Sequence, residues 1–184
     1  VLDALADVRD RIQVIACRHE AGAANMAEAY GKLTGKPGVC FVTRGPGATN
    51  ASVGMHTGFQ DSTPMILLVG QVARETTDRE AFQEIDYRRM FGQMAKWVAQ
   101  IDRTDRIPAY IARAFSVATR GRPGPVVLAL PEDTLWGTAQ VPDLPPYTRV
   151  LTRPGAADLD TLRERLEAAH NPFLLVGGSG WTPE

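Results

Sequence analysis

Short, nearly continuous apolar runs alternate along this chain with segments whose apolar residues recur at helical spacing. The runs Ile12–Ala16, Gly38–Thr43, Met65–Gly70, Lys96–Ile101 and Pro125–Leu130 are rich in Val, Ile and Leu and lack strict two-residue alternation. That is the pattern of strands covered on both faces of a parallel sheet. Between them, the spacing predicts a helix over Glu20–Leu33, with Ala23, Ala27, Tyr30 and Leu33 on one side and Gly35 and Pro37 ending it. A second helix is predicted over Ile107–Thr119, with Ile107, Ile111, Ala114 and Phe115 as its stripe. Pro108 lies in its first turn and Gly121 follows its last. Strand and helix in alternation predict an α/β fold: a doubly wound, mostly parallel sheet with helices on both faces, joined by right-handed crossovers.

From Pro131 the periodicity disappears. Pro131, Pro142, Pro145, Pro146 and Pro154 punctuate a stretch that reads as an extended linker. Beyond it, Asp158–His170 is helical in pattern through Leu159, Leu162 and Leu166, and Phe173–Gly178 reads as the first strand of another α/β unit. The expected organisation is therefore a domain over residues 1–133, a linker over 134–157 and the beginning of a further domain over 158–184.

Composition narrows the function classes. With 44% hydrophobic and 22% charged residues and a net charge of −1, the chain has a globular composition and no basic field to attract nucleic acid or an anionic membrane. No apolar run is long enough to span a bilayer. The first residues carry Asp3 and no basic flank, unlike a secretory signal, and there is no initiator Met, so the chain is expected to begin within a longer protein. Cys17 and Cys40 each adjoin or lie in an apolar run without metal-ligand spacing, which predicts buried free thiols in a reducing, cytoplasmic setting.

Two segments carry candidate chemistry. Arg18-His19-Glu20 places three ionisable side chains where a predicted strand passes into a helix that opens with small residues, Ala21–Ala24. An acid there is favoured by the helix dipole, which is one reading of Glu20. Gly45-Pro46-Gly47-Ala48-Thr49-Asn50 follows a strand and opens a helix, so backbone can approach a ligand closely. It matches neither the dinucleotide GxGxxG nor a P-loop, and a non-catalytic cofactor- or nucleotide-binding module remains an alternative.

Taken in order, the motifs are more specific. Arg18-His19-Glu20, Gly31-x-x-x-Gly35-Lys36-Pro37-Gly38, Gly45–Asn50, Asp61-Ser62-x-Pro64-Met65, Gly70-Gln71-Val72, Ala81-Phe82-Gln83-Glu84 and Gly121–Val126 form one series. It resembles the N-terminal, pyrimidine-binding domain of thiamine-diphosphate-dependent enzymes of the acetolactate synthase type, from about Leu2 to Asp133. The resemblance implies an enzyme that decarboxylates a 2-keto acid and transfers the acyl unit. A lyase or decarboxylase acting on another acyl substrate is the alternative within the same superfamily.

It also implies roles for particular residues. Glu20 is the carboxyl group that bonds N1′ of the cofactor's aminopyrimidine, with a pKa raised by an apolar pocket so that it shares a proton there. Pro46, Gly47 and Asn50 line the cofactor. Phe82, Gln83 and Lys96 belong to a segment that covers the active site and faces substrate. His19 and Arg18 orient the turn or pair across a subunit interface. The His-His pair of pyruvate-decarboxylase-like relatives is missing. Arg44 stands where the synthases usually have a small residue; it reads an anionic substrate or forms an interface ion pair. His56–Gln60 is also more polar than the synthases' helix.

The resemblance further implies a homodimer or homotetramer. It implies Mg²⁺ and diphosphate ligands on a C-terminal domain, in a Gly-Asp-Gly…Asn motif that these residues do not contain, so the chain alone is expected to be inactive. A flavin in the central domain is compatible with it. The family's first strand and its Gly-rich turn are expected just before Val1.

Overall fold

The computed structural model describes residues 1–178. Its secondary structure runs α1 (Leu2–Ala6), α2 (Glu20–Thr34), β1 (Gly38–Val42), α3 (Pro46–Gln60), β2 (Met65–Gln71), α4 (Tyr87–Phe91), β3 (Trp97–Gln100), α5 (Ile107–Thr119), β4 (Pro125–Pro131), α6 (Glu132–Trp136) and α7 (Ala156–Ala168). The four strands form one sheet in the order β1-β2-β4-β3, and every neighbouring pair is parallel. Register pairs Val39 with Ile66, Ile66 with Val126, and Val126 with Trp97. The chain is α/β, as its pattern predicts.

Side-chain alternation sends the strands into two cores. Cys40, Val42, Leu67, Val69, Val127 and Ala129 meet α2, α3 and α4 on one face. Ile66, Ala99, Val126, Leu128 and Leu130 meet α5 on the other. All seven residues of β4 are buried, which is why its sequence is apolar without alternation. Each such Val or Leu contributes roughly 1.5–3 kcal/mol by leaving water.

The face by which α2 packs differs from the expected stripe. Tyr30 and Leu33 are exposed, and the buried positions are Ala24, Ala27, Glu28 and Gly31. The reason is close approach. A Cβ on Gly54 of α3 would lie 2.7 Å from Cβ of Ala24, and one on Gly31 would strike the carbonyl of Pro64. Helices this near can bury only small residues between them. The carboxyl of Glu28 is covered as well, and the hydroxyl of Thr63 donates to it over 2.9 Å.

Two expected strands do not form. Ile12–Ala16 is irregular, pairs with no strand among the described residues, and leaves Ile12, Val14 and Ile15 about half exposed. An apolar run becomes a strand only where a ladder partner satisfies its backbone. Cys17, which follows it, is correspondingly exposed rather than buried, with Sγ 3.6 Å from Sδ of Met26. Cys40 is buried as expected, and desolvation pushes its thiol up to about 11. Phe173–Gly178 is likewise irregular, with Phe173, Leu174 and Leu175 exposed. The remainder of the expected 158–184 unit, residues 179–184, lies outside the described residues. The helix expected over Asp158–His170 forms as α7, with Leu159, Leu162 and Leu166 on its surface about half exposed.

Candidate active site

In a parallel sheet the loops leaving the C-terminal ends of the strands share one edge, which is where α/β folds gather ligand-binding groups. Here the turn after β1, the segment after β2 and the start of α6 meet at that edge.

The turn after β1 is built by glycine. Gly45 adopts φ 56°, ψ −106°, in the left-handed half of backbone space that side chains disfavour. Pro46 then occupies the first turn of α3, where its missing N–H leaves no bond unmade. Gly47 is buried; a Cβ there would come within 2.8 Å of the Thr43 methyl. The hydroxyl of Thr49 donates to the Gly45 carbonyl over 3.1 Å, closing the turn.

One helical turn on, the side-chain amide of Asn50 donates to Oε2 of Glu20 over 3.0 Å. Glu20 is the first residue of α2, and its neighbour His19 caps that helix, Nδ1 accepting from the Ala21 amide over 3.1 Å. This gives His19 a turn-orienting role; Arg18 is exposed. The N-terminal portions of α2 and α3 thus present one carboxylate held by one amide.

The Asn50 bond and its own backbone amide hold the Glu20 carboxyl below the ordinary carboxylate value, against a small opposing effect of burial. The expectation of a raised value is therefore corrected for this chain. Burial raises a carboxyl only when apolar walls enclose it, and within these residues Glu20 remains partly exposed.

The segment after β2 lies against the same turn. A Cβ on Gly45 would be 2.7 Å from Cβ of Gln83, so the turn and Gln83 touch through backbone. Gln83 itself has φ 64°. Its neighbour Phe82 is 76% exposed. Arg44, also at this edge, donates through Nη1 to Oε2 of Glu132 over 2.9 Å, tying the end of β1 to the start of α6. It is thus in an ion pair inside the chain.

Lys96 is the predicted site residue that the fold keeps apart. It precedes β3 at the opposite, N-terminal edge of the sheet, and its ammonium donates to the carbonyls of Val117 and Arg120 over 2.5 and 2.7 Å. It serves the C-terminal end of α5, whose last carbonyls lack helical partners.

Two residues without an assigned role in the sequence hold this edge together. The hydroxyl of Tyr87 accepts from the Gly45 amide over 3.0 Å and donates to the Gly70 carbonyl over 3.1 Å. Arg74 reaches Asp133 through its side chain (2.6 Å) and its amide (3.1 Å), and the Asp102 carbonyl at 2.7 Å. The signal for Tyr87 was its polar tip beside the apolar Met90-Phe91 pair, since a buried tyrosine hydroxyl finds a partner. No comparable signal marks Arg74.

Residues 1–90 match the family described as thiamine pyrophosphate enzyme, N-terminal TPP binding domain. Over those residues the chain carries this family's domain. It is 38% identical, over 182 residues, to the acetolactate synthase isozyme 2 large subunit of Escherichia coli K12, covering 97% of this chain and 32% of that protein. It is 36% identical over 186 residues to the catabolic acetolactate synthase of Raoultella terrigena, covering 100% of this chain and 33% of that one. The mitochondrial acetolactate synthase catalytic subunit of Saccharomyces cerevisiae is 42% identical over 124 residues, 67% of this chain and 18% of its own length. The chain therefore spans about a third of the two bacterial relatives.

The donor set fits one end of thiamine diphosphate. A helix-borne carboxyl group oriented by an amide, beside a glycine turn without side chains, suits a flat, nitrogen-bearing ring. Among the described residues no three His, Cys, Asp or Glu side chains converge to hold a metal. No helix among the described residues is long and apolar enough to cross a membrane.

Proposed function

We propose that this chain is the pyrimidine-binding part of a thiamine-diphosphate-dependent enzyme that decarboxylates a 2-keto acid and transfers the acyl unit, in the manner named by its acetolactate synthase relatives. The observation that carries the reading is the Glu20–Asn50 pair at the C-terminal edge of the sheet. When bound, thiamine diphosphate supplies the carbon nucleophile and the electron sink that 2-keto acid chemistry needs.

The chain's own residues have separable tasks. Glu20 exchanges a proton with the ring nitrogen facing it. Covering its carboxylate with the ring removes water and raises its proton affinity from the low value of the open site. Asn50 keeps the carboxyl group aimed. Pro46 and Gly47 leave room for the ring by keeping side chains out of the turn. Phe82 and Gln83 line the keto-acid side. The full-length protein holds Mg²⁺ and the diphosphate outside these residues, works as a homodimer or homotetramer, and resides in the cytoplasm.

Substitution Glu20→Gln in the full-length protein tests the central role. It preserves shape and a hydrogen bond while removing proton exchange. Hydrogen–deuterium exchange at C2 of the bound cofactor, followed by NMR after rapid quench, is expected to slow by about two orders of magnitude or more. Cofactor affinity is expected to change little. Exchange at the parent rate would reduce Glu20 to a helix-terminus acid and leave a cofactor-binding module without catalysis.

A further inference from the structure

Residues 72–86 cross the active-site edge on an unusual backbone. Asp78, Glu80 and Gln83 all have positive φ, at 61°, 54° and 64°. Non-glycine residues hold such conformations only where the surroundings impose them. Part of the imposition is internal: the Glu84 carboxylate accepts from the amides of Asp78 (2.7 Å) and Ala81 (3.1 Å), closing the segment on itself. Part comes from the sheet. The Gln71 side chain donates to the Ile85 carbonyl over 2.8 Å, and Arg74 fastens the upstream end to Asp133.

At the downstream end a buried hydroxyl adds to the Gln71–Ile85 bond. Tyr87 opens α4 directly after the segment, and its ring is 3% exposed, against Phe91 at 6.3 Å between centroids. Its oxygen takes the Gly45 amide and gives its proton to the Gly70 carbonyl. Three parts converge on that atom: the end of β2, the turn that leads into Asn50, and the helix that terminates residues 72–86. Gly45 completes the fit from the other side, because its missing side chain lets Gln83 lie against the turn. Burial pushes the phenol up, against opposing pulls from the Gly45 amide and the Arg44 charge, so the hydroxyl keeps the proton it donates.

We propose that Tyr87 is a positioning residue: its hydroxyl holds Phe82 and Gln83 in register with the Gly45–Asn50 turn and so sets how the 2-keto acid is received. The identity of that ligand rests on the proposed function; the mechanical link does not.

Tyr87→Phe in the full-length protein separates the two. With no ligand present, amide exchange across residues 72–86 and at Gly45 is expected to accelerate tenfold or more, while the amides of β2 and β4 change by less than about twofold. With ligands, KM for the 2-keto acid is expected to rise fivefold or more while thiamine diphosphate affinity stays within twofold. Unchanged exchange in 72–86, or acceleration spread evenly through β2 and β4, overturns the proposal. So does an unchanged KM in an enzyme that turns over 2-keto acids. If Tyr87→Phe does not fold, Gly45→Ala keeps the tyrosine and wedges the turn from Gln83. The same localised acceleration is expected there, and a parent-like pattern overturns the link. Should Glu20→Gln exchange C2 at the parent rate, the catalytic role of Glu20 falls, and the ligand-free measurement still decides Tyr87.

Discussion

The side-chain amide of Asn50 and the carboxylate of Glu20, 30 positions apart in sequence, meet over 3.0 Å. The bond joins the N-terminal portions of two helices that pack through Ala24 and Gly54. Neither residue could hold this geometry if the helices stood further apart, so the small-residue contact and the carboxylate's orientation are one feature.

Asn50→Ala should raise the Glu20 pKa toward its ordinary value of 4.5, because the amide stabilises the charged form. Carbon-13 NMR titration of the Glu20 side chain in this chain reads the shift directly. An unmoved titration would show that the two side chains do not meet in solution.

Arg44→Ser removes a partly exposed ion pair with Glu132. Because the guanidinium is engaged inside the chain, KM values for a panel of 2-keto acids are expected to stay within about twofold, well under 1 kcal/mol. Unfolding free energy should drop by no more than about 1 kcal/mol. A tenfold rise in KM confined to substrates with a second negative charge would place Arg44 among the substrate-binding groups instead.

The Arg74–Asp133 contact makes stability acid-sensitive. Burial alone would raise the Asp133 carboxyl, but the bonds and charge of Arg74 outweigh it and hold it below 3.8. A carboxyl lowered by folding adds stability that is present above its unfolded pKa and disappears as pH falls through its folded value. Asp133→Asn should therefore cost stability at neutral pH and converge with the parent in acid. Urea midpoints collected from about pH 7 down to about pH 2.5 check this; a constant gap across that range would mean the charge contributes nothing.

Local pattern made much of the fold legible. The runs at β2 and β4 read as strands because Val-, Ile- and Leu-rich segments of that length bury both faces, whereas β1 exposes Val39 and Phe41 on one face. Glycine and proline marked the ends of α2 and the opening of α3. Glu20 and the Gly45–Asn50 turn were visible too, since a charged residue at a strand–helix junction and a side-chain-free turn are local oddities.

Partner identity was not legible. The run Ile12–Ala16 is as apolar as the true strands, yet a strand needs a ladder partner, and no partner is written in the run itself. Tyr30 and Leu33 match a buried stripe, but the distance between α2 and α3 buries Ala24 and Gly31 instead. Lys96 stands next to a strand in sequence, and the parallel direction of β3 sends it to the far edge, under α5. Arg44 and Glu132, or Tyr87 with Gly45 and Gly70, come together only after β1, β2 and β4 align. Short-range periodicity records which residues must leave water. The order in which strands align settles whom they meet when they do.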